Sequence, residues 1–114
     1  MRRRLRTTVG SITHLAMAEG LPIRFAQPAR SVALLGDSMA FVIFDGDDGD
    51  KNLAVLGPAG EELARLGTTT GTGTIDEVLD VGGEIRVIEA TSLGLFQASL
   101  DLDSLTLVRV AEWQ

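Results

Sequence analysis

The chain contains no cysteine and no tyrosine, a single histidine, a single tryptophan and only 4% aromatic residues among its 114 positions. Without cysteine there is no disulfide scaffold, no thiolate zinc site, no iron–sulfur cluster and no thiol nucleophile. With one histidine, His14, no two imidazoles can share a metal. Long apolar runs are missing too: nothing approaches the roughly 18 residues needed to span a bilayer as a helix. Proline is scarce at 3, whereas glycine is plentiful at 13. Hydrophobic residues make up 45% and charged residues 23%, the balance of a chain that folds around a core.

Acidic side chains outnumber basic ones 16 to 10, giving a net charge of −6. Arg2, Arg3, Arg4 and Arg6 sit together at the start, and setting aside these four positive charges leaves −10 for residues 7–114. Such a body repels phosphate backbones, so neither nucleic acid nor an anionic membrane is the expected partner. Met1–Arg6 and the Ala16-Met17-Ala18 triplet have the outline of a secretory signal, but Thr7, Thr8, Gly10, Ser11, Thr13 and His14 interrupt the apolar stretch between them. Met17 is an alternative start of the biological chain. Residues 1–20 are read as a basic N-terminal segment free to fray, and 21–114 as one β domain in a reducing compartment, the cytoplasm.

The spacing predicts a short helix over Ser11 to Glu19, with Ser11 as its cap and Gly20 just past its end. Pro22 and Pro28 forbid its continuation. Beyond Ser31 the pattern changes to short apolar runs between turn signals. Val32–Leu35, Met39–Phe44, Leu53–Leu56, Glu61–Leu66, Ile75–Val81, Glu84–Glu89, Leu95–Leu100 and Leu105–Val110 read as about eight strands. Turns fall at Gly36-Asp37-Ser38, Gly57-Pro58-Ala59-Gly60 and Gly82-Gly83. The fold class is therefore all-β, an antiparallel meander curled into a sandwich or barrel. Met39–Phe44 is apolar without a break, so it needs cover on both faces, and residues 12–26, carrying Ile12, Leu15, Ile23 and Phe25, can supply one cover.

The two halves echo each other. Leu56, Leu63, Arg65 and Leu66 fall opposite Leu100, Leu107, Arg109 and Val110, while Met39 and Phe41 fall opposite Ile85 and Val87. A repeat of this length matches one four-stranded propeller blade. Asn52–Gly60 and Leu95–Asp103 resemble the strand-turn elements of quinoprotein-type β-propeller repeats, and are similar to small bacterial β-meander proteins with an Asn-apolar-x-apolar strand before a glycine turn. The resemblance covers residues 31–110. The tryptophan docking positions of quinoprotein repeats are not matched, since Ala64 or Arg65 stands there, so it implies no cofactor residues. Two blades do not close a propeller.

Gly36-Asp37-Ser38-Met39 resembles the first block of the GDS-type esterases, with Ser38 as nucleophile. The lone His14 precedes it, however, and no Asp-x-x-His follows, so a hairpin turn is the expected role. Asp48, Asp50 and Asn52 follow the first three ligand positions of a calcium loop, but Leu53 stands where the loop needs glycine and Ala59 where it needs glutamate. These three residues are the candidate metal ligands, with a solvated loop as the alternative. Gly71-x-Gly73 has no helix behind it and reads as a flexible linker. Asp76, Glu77, Asp80, Glu84 and Glu89 suggest an acidic hairpin face open to solvent. Trp113 is the candidate interaction residue. No cofactor is implied. The expected function is a non-catalytic protein-interaction module, of the kind an immunity or inhibitor protein provides, acting through a protein partner or self-association at sheet edges. The alternatives are a small-ligand or calcium-binding β domain, and a hydrolase remnant using Ser38.

Overall fold

The apolar run Met39–Phe44 forms the middle strand of a five-stranded antiparallel sheet, and Ala40, Phe41, Val42 and Ile43 are wholly buried. Alternation along this strand sends Phe41 and Ile43 to one face and Ala40, Val42 and Phe44 to the other, and each set joins a different core. Cover on both faces is thus observed, as the unbroken pattern demands.

The computed structural model describes residues 5–112 and is all-β, with nine strands and no helix among them. They are β1 Leu5–Leu15, β2 Ile23–Leu35, β3 Met39–Phe44, β4 Leu53–Leu56, β5 Glu62–Leu66, β6 Thr74–Val81, β7 Glu84–Thr91, β8 Gly94–Asp101 and β9 Thr106–Glu112. Strands β1 to β5 form one sheet and β6 to β9 a second, each in chain order, and neither sheet closes on itself. The inner faces pack together: Phe41, Ile43 and Val55 from the first sheet meet Ile75, Val87 and Leu100 from the second. Burying a side chain of this size contributes about 1.5–3 kcal/mol.

Polar ties cross the same junction. Arg30 of β2 donates from Nη1 to Asp76 Oδ1 at 2.9 Å, and from Nη2 to the Asp76 carbonyl at 3.0 Å and the Ile75 carbonyl at 3.3 Å.

The repeat is present at the level of strands. Leu63 and Arg65 lie on β5 where Leu107 and Arg109 lie on β9, and Arg65 pairs with Ala54 as Arg109 pairs with Ala98. Met39 and Phe41 lie on β3 where Ile85 and Val87 lie on β7, each strand following its glycine turn. Each half is a four-stranded meander, and β1 is the ninth strand, added to the edge of the first.

The expected helix over Ser11–Glu19 is corrected. Leu5–Leu15 is a strand, pairing with β2 from Leu5↔Leu35 to Leu15↔Ile23. Ser11 and Gly20 look like the start and the end of a helix, but Thr7, Thr8, Val9, Ile12 and Thr13 are β-branched and gain a ladder partner that an isolated turn of helix lacks. Bulges between Val9 and Ile12, and again before His14, bend the hairpin. The boundary at residue 20 falls in the connection between these two strands.

Beyond the bulges the β1–β2 hairpin forms an arm that supplies the second cover. Ile12, Leu15, Ile23 and Phe25 pack on the core formed by Val32, Ala40, Val42, Phe44, Ala54 and Leu56, with Met17 buried among them. At its tip, Glu19 N–H donates to the Pro58 carbonyl at 3.2 Å. Gly60, at φ +84°, closes the Gly57–Gly60 turn and lies so near the Ile23 side chain that an added Cβ would stand 2.5 Å from it. Pro28 fits inside β2 because β3 pairs with that strand only from Ala29 onward, which leaves the preceding residues on an edge.

Candidate functional site

Where the arm lies over the first sheet it leaves an open groove of about 300 Å³, walled by β2, β3, β4 and β5. Phe25 and Phe44 form its aromatic wall, edge to face with ring centroids 5.5 Å apart and an interplanar angle of 87°. Ala54 and Leu56 complete the apolar part. The Arg65 guanidinium lies 5.1 Å from the Phe44 ring centroid, a cation–π contact. It is held there by Glu62 Oε1, which accepts from Nη2 at 2.7 Å and from Nε at 3.2 Å. Arg24 stands at the rim, exposed, and its guanidinium makes no ion pair or hydrogen bond among the described residues. Gln27 Nε2 donates to the Asp45 carbonyl at 3.1 Å, closing the other end.

The acidic loop that follows ties its candidate ligands to the backbone. Asp48 accepts from Gly73 N–H, and Asp50 Oδ2 accepts from Asp47 N–H at 2.7 Å. Asn52 is buried, and both ends of its amide are committed to backbone. The three candidate ligands therefore serve separate structural bonds. Among the described residues no three His, Cys, Asp or Glu side chains gather as they would to hold a metal ion.

Gly71-x-Gly73, expected to be a flexible linker, lies in the crossover between sheets, which is tied down. Gly49 N–H donates to the Gly73 carbonyl at 2.9 Å, and Thr68 Oγ1 donates to the Thr72 carbonyl at 2.6 Å.

Ser38 occupies the β2–β3 turn, where its hydroxyl and its N–H both point to the Leu35 carbonyl, at 3.1 and 3.3 Å. His14 is exposed on β1, its Nδ1 2.8 Å from Thr13 Oγ1.

The acidic hairpin divides into separate roles. Asp76 pairs with Arg30, and Asp80 Oδ1 accepts from Gly83 N–H at 2.8 Å in the tight turn. Glu84 accepts from the Ser99 hydroxyl and from Arg86 at 2.9 Å, and these two partners hold its pKa below the usual glutamate value. Glu89 breaks the expectation of a solvated face: it is wholly buried. It accepts from Thr69 N–H, from Thr69 Oγ1 at 2.8 Å and from Arg109 at 3.3 Å. Sequence reasoning missed both Asn52 and Glu89 as buried polar groups. The available signal was a polar residue set directly against an apolar run.

The second sheet has a different kind of surface. Its outer face carries no arm among the described residues, and its edge strand β9 presents Val108 at 61% exposure and Val110 at 45%. Leu93 and Leu95 are exposed on and beside the neighbouring strand β8. The one arginine of β9, Arg109, turns to Glu89 and to the Phe96 ring, 3.9 Å from its centroid. Trp113, the candidate interaction residue, lies outside the described residues, as do Arg2, Arg3 and Arg4.

No family model matches this chain, and neither a curated protein nor a solved structure matches it.

Proposed function

We propose that this protein is a non-catalytic interaction module that pairs with a second copy of itself through the β9 edge. The observation that carries the reading is the contrast between β9 and the charged edges β6 and β5. The second sheet's other edge, β6, bears Asp76, Glu77 and Asp80, and β5 is short and bears Glu62 and Arg65. Charges of this kind discourage pairing with another chain. β9 instead shows valines to solvent and uses its arginine inward. A two-fold axis beside β9 would set the two valine pairs against each other and join two four-stranded sheets into one of eight.

Light scattering on the eluting protein tests this. A dimer that becomes monomeric in Val108→Lys, with an unchanged far-ultraviolet spectrum, supports it. A strict monomer at high micromolar concentration removes it. The body charge of −10 would favour a basic protein at any heterologous contact, which is the inhibitor-type form of the same reading. A cytoplasmic location is part of this proposal. The absence of cysteine is compatible with a reducing compartment, and no helix of the described residues is long and apolar enough to cross a membrane.

A further inference from the structure

We propose that the groove beside Arg24 binds a small carboxylate with an apolar body. The charge of the groove favours an anion. In a chain of net charge −6, the walls of this groove carry Arg24 and Arg65 against the single carboxylate of Glu62. Glu62 is already engaged by Nε and Nη2 of Arg65, so Nη1 of Arg65 and the whole Arg24 guanidinium remain as donors. The neighbouring carboxylate of Asp45 lies with Arg30, 3.7 Å from its Nε. A ligand carboxylate would thus supply what the protein's own acids do not, and the guanidinium fork accommodates its two oxygens.

The rest of the wall favours an apolar body. Phe25, Phe44, Ala54 and Leu56 offer an apolar surface for a ring or a short chain. About 300 Å³ is the small end of the range for organic-ligand pockets, which selects a single ring over a larger molecule. The Phe44 ring already receives the Arg65 cation, so a cationic ligand would compete for an occupied place. The site is also held in shape: the edge-to-face ring pair fixes one wall, and the contact of Ile23 with Gly60 fixes the arm above it.

The test uses the full chain and three matched probes: 3-phenylpropionate, 3-phenylpropan-1-ol and 3-phenylpropylamine. Calorimetry should find the carboxylate bound about fivefold more tightly than the alcohol, the scale of a partly exposed ion pair, and the amine weakest. Amide NMR shifts should fall on Ile23–Gln27 and Phe44. Arg24→Gln, at an exposed position, should bring the carboxylate down to the level of the alcohol and leave the alcohol unchanged. Equal binding of carboxylate and alcohol to the unmodified protein overturns the proposal, as do shifts centred on Val108 and Val110, or no binding of the carboxylate at millimolar concentration. A tripeptide ending in phenylalanine that binds more tightly than 3-phenylpropionate would assign the groove to a chain terminus and overturn the small-molecule occupant. Val108→Lys leaves this binding intact, so the groove and the β9 edge succeed or fail separately.

Discussion

Asn52 and Ile75 exchange two hydrogen bonds across the junction of the sheets: Asn52 Oδ1 accepts from Ile75 N–H at 2.9 Å, and Nδ2 donates to the Ile75 carbonyl at 2.8 Å. The same Nδ2 donates to the Phe44 carbonyl at 3.0 Å. One buried amide therefore ties the start of β4 to the end of β3 and to β6 of the other sheet. Asn52→Ala takes this partner from the Ile75 N–H and the Phe44 carbonyl and leaves the Ile75 carbonyl to Arg30 alone, and at about 1–3 kcal/mol for each unpaired group a loss of roughly 2–4 kcal/mol is expected in urea unfolding. Asn52→Asp keeps the acceptor and loses both donors, and burial raises the folded pKa of the new carboxyl. A raised folded pKa means that its penalty is absent below the unfolded pKa and grows as pH rises. Relative to the unmodified protein, Asn52→Asp should therefore recover stability between neutral and acid pH.

The alternation of β6 and β7, the glycine turns and the covered middle strand were all legible in the sequence because they depend on neighbouring residues. So was the arm as a cover, since Ile12, Leu15, Ile23 and Phe25 had no other face to fill. The strand nature of Leu5–Leu15 was not, because its partner lies some twenty residues ahead and local cap signals point to a helix. Asn52 and Glu89 were hidden for the same reason. Their partners, Ile75 and Thr69, are 23 and 20 residues away, and a buried polar residue is recognisable only when both sides of its bond are placed. The groove depends on distance too: it brings Arg24 and Phe25 to Phe44 and Arg65, and no spacing motif links them.

Glu89 and Arg109 form the second buried relationship, and they should behave as a unit. Arg109→Ala leaves a carboxylate in the core with only Thr69 as donor. Arg109 is itself about one-third exposed, so solvent screens part of the pair, and about 2 kcal/mol of destabilisation is expected rather than the full cost of a buried orphan charge. Glu89→Gln removes the charge and retains an acceptor for Thr69, so it should cost less. Combining the two should cost less than their sum, with a coupling of about 1 kcal/mol. Additive losses in the double-mutant cycle would show that Thr69, and not Arg109, compensates Glu89.

Glu84 gives the pH dependence. The Ser99 hydroxyl contributes most to its depressed pKa and Arg86 next. A depressed folded pKa stabilises the protein above the unfolded value, and that contribution is lost as pH falls below the usual glutamate value of 4.5 and through the folded one. Ser99→Ala should raise the Glu84 titration midpoint, read from side-chain carboxyl carbon shifts, by more than Arg86→Gln does. The reverse order would make the guanidinium the dominant partner.

Two glycines of the crossover separate backbone strain from collision. Gly71 and Gly73 have nearly the same left-handed φ, +76° and +74°. A Cβ on Gly71 meets nothing within 4 Å, so Gly71→Ala should cost only the left-handed conformation, about 1 kcal/mol. A Cβ on Gly73 would lie 2.1 Å from the Ala90 carbonyl oxygen and 2.8 Å from Thr91 Cα. Both are backbone atoms of β7, and moving them would break the Thr74↔Ala90 pairing that starts the second sheet. It would also pull Gly73 N–H from Asp48 and its carbonyl from Gly49, the bonds that hold the crossover to the acidic loop. Gly73→Ala should therefore cost about 3 kcal/mol or more. Urea midpoints of the two variants at equal m-values measure the difference, and equal losses would mean that the crossover yields where β7 is expected to resist.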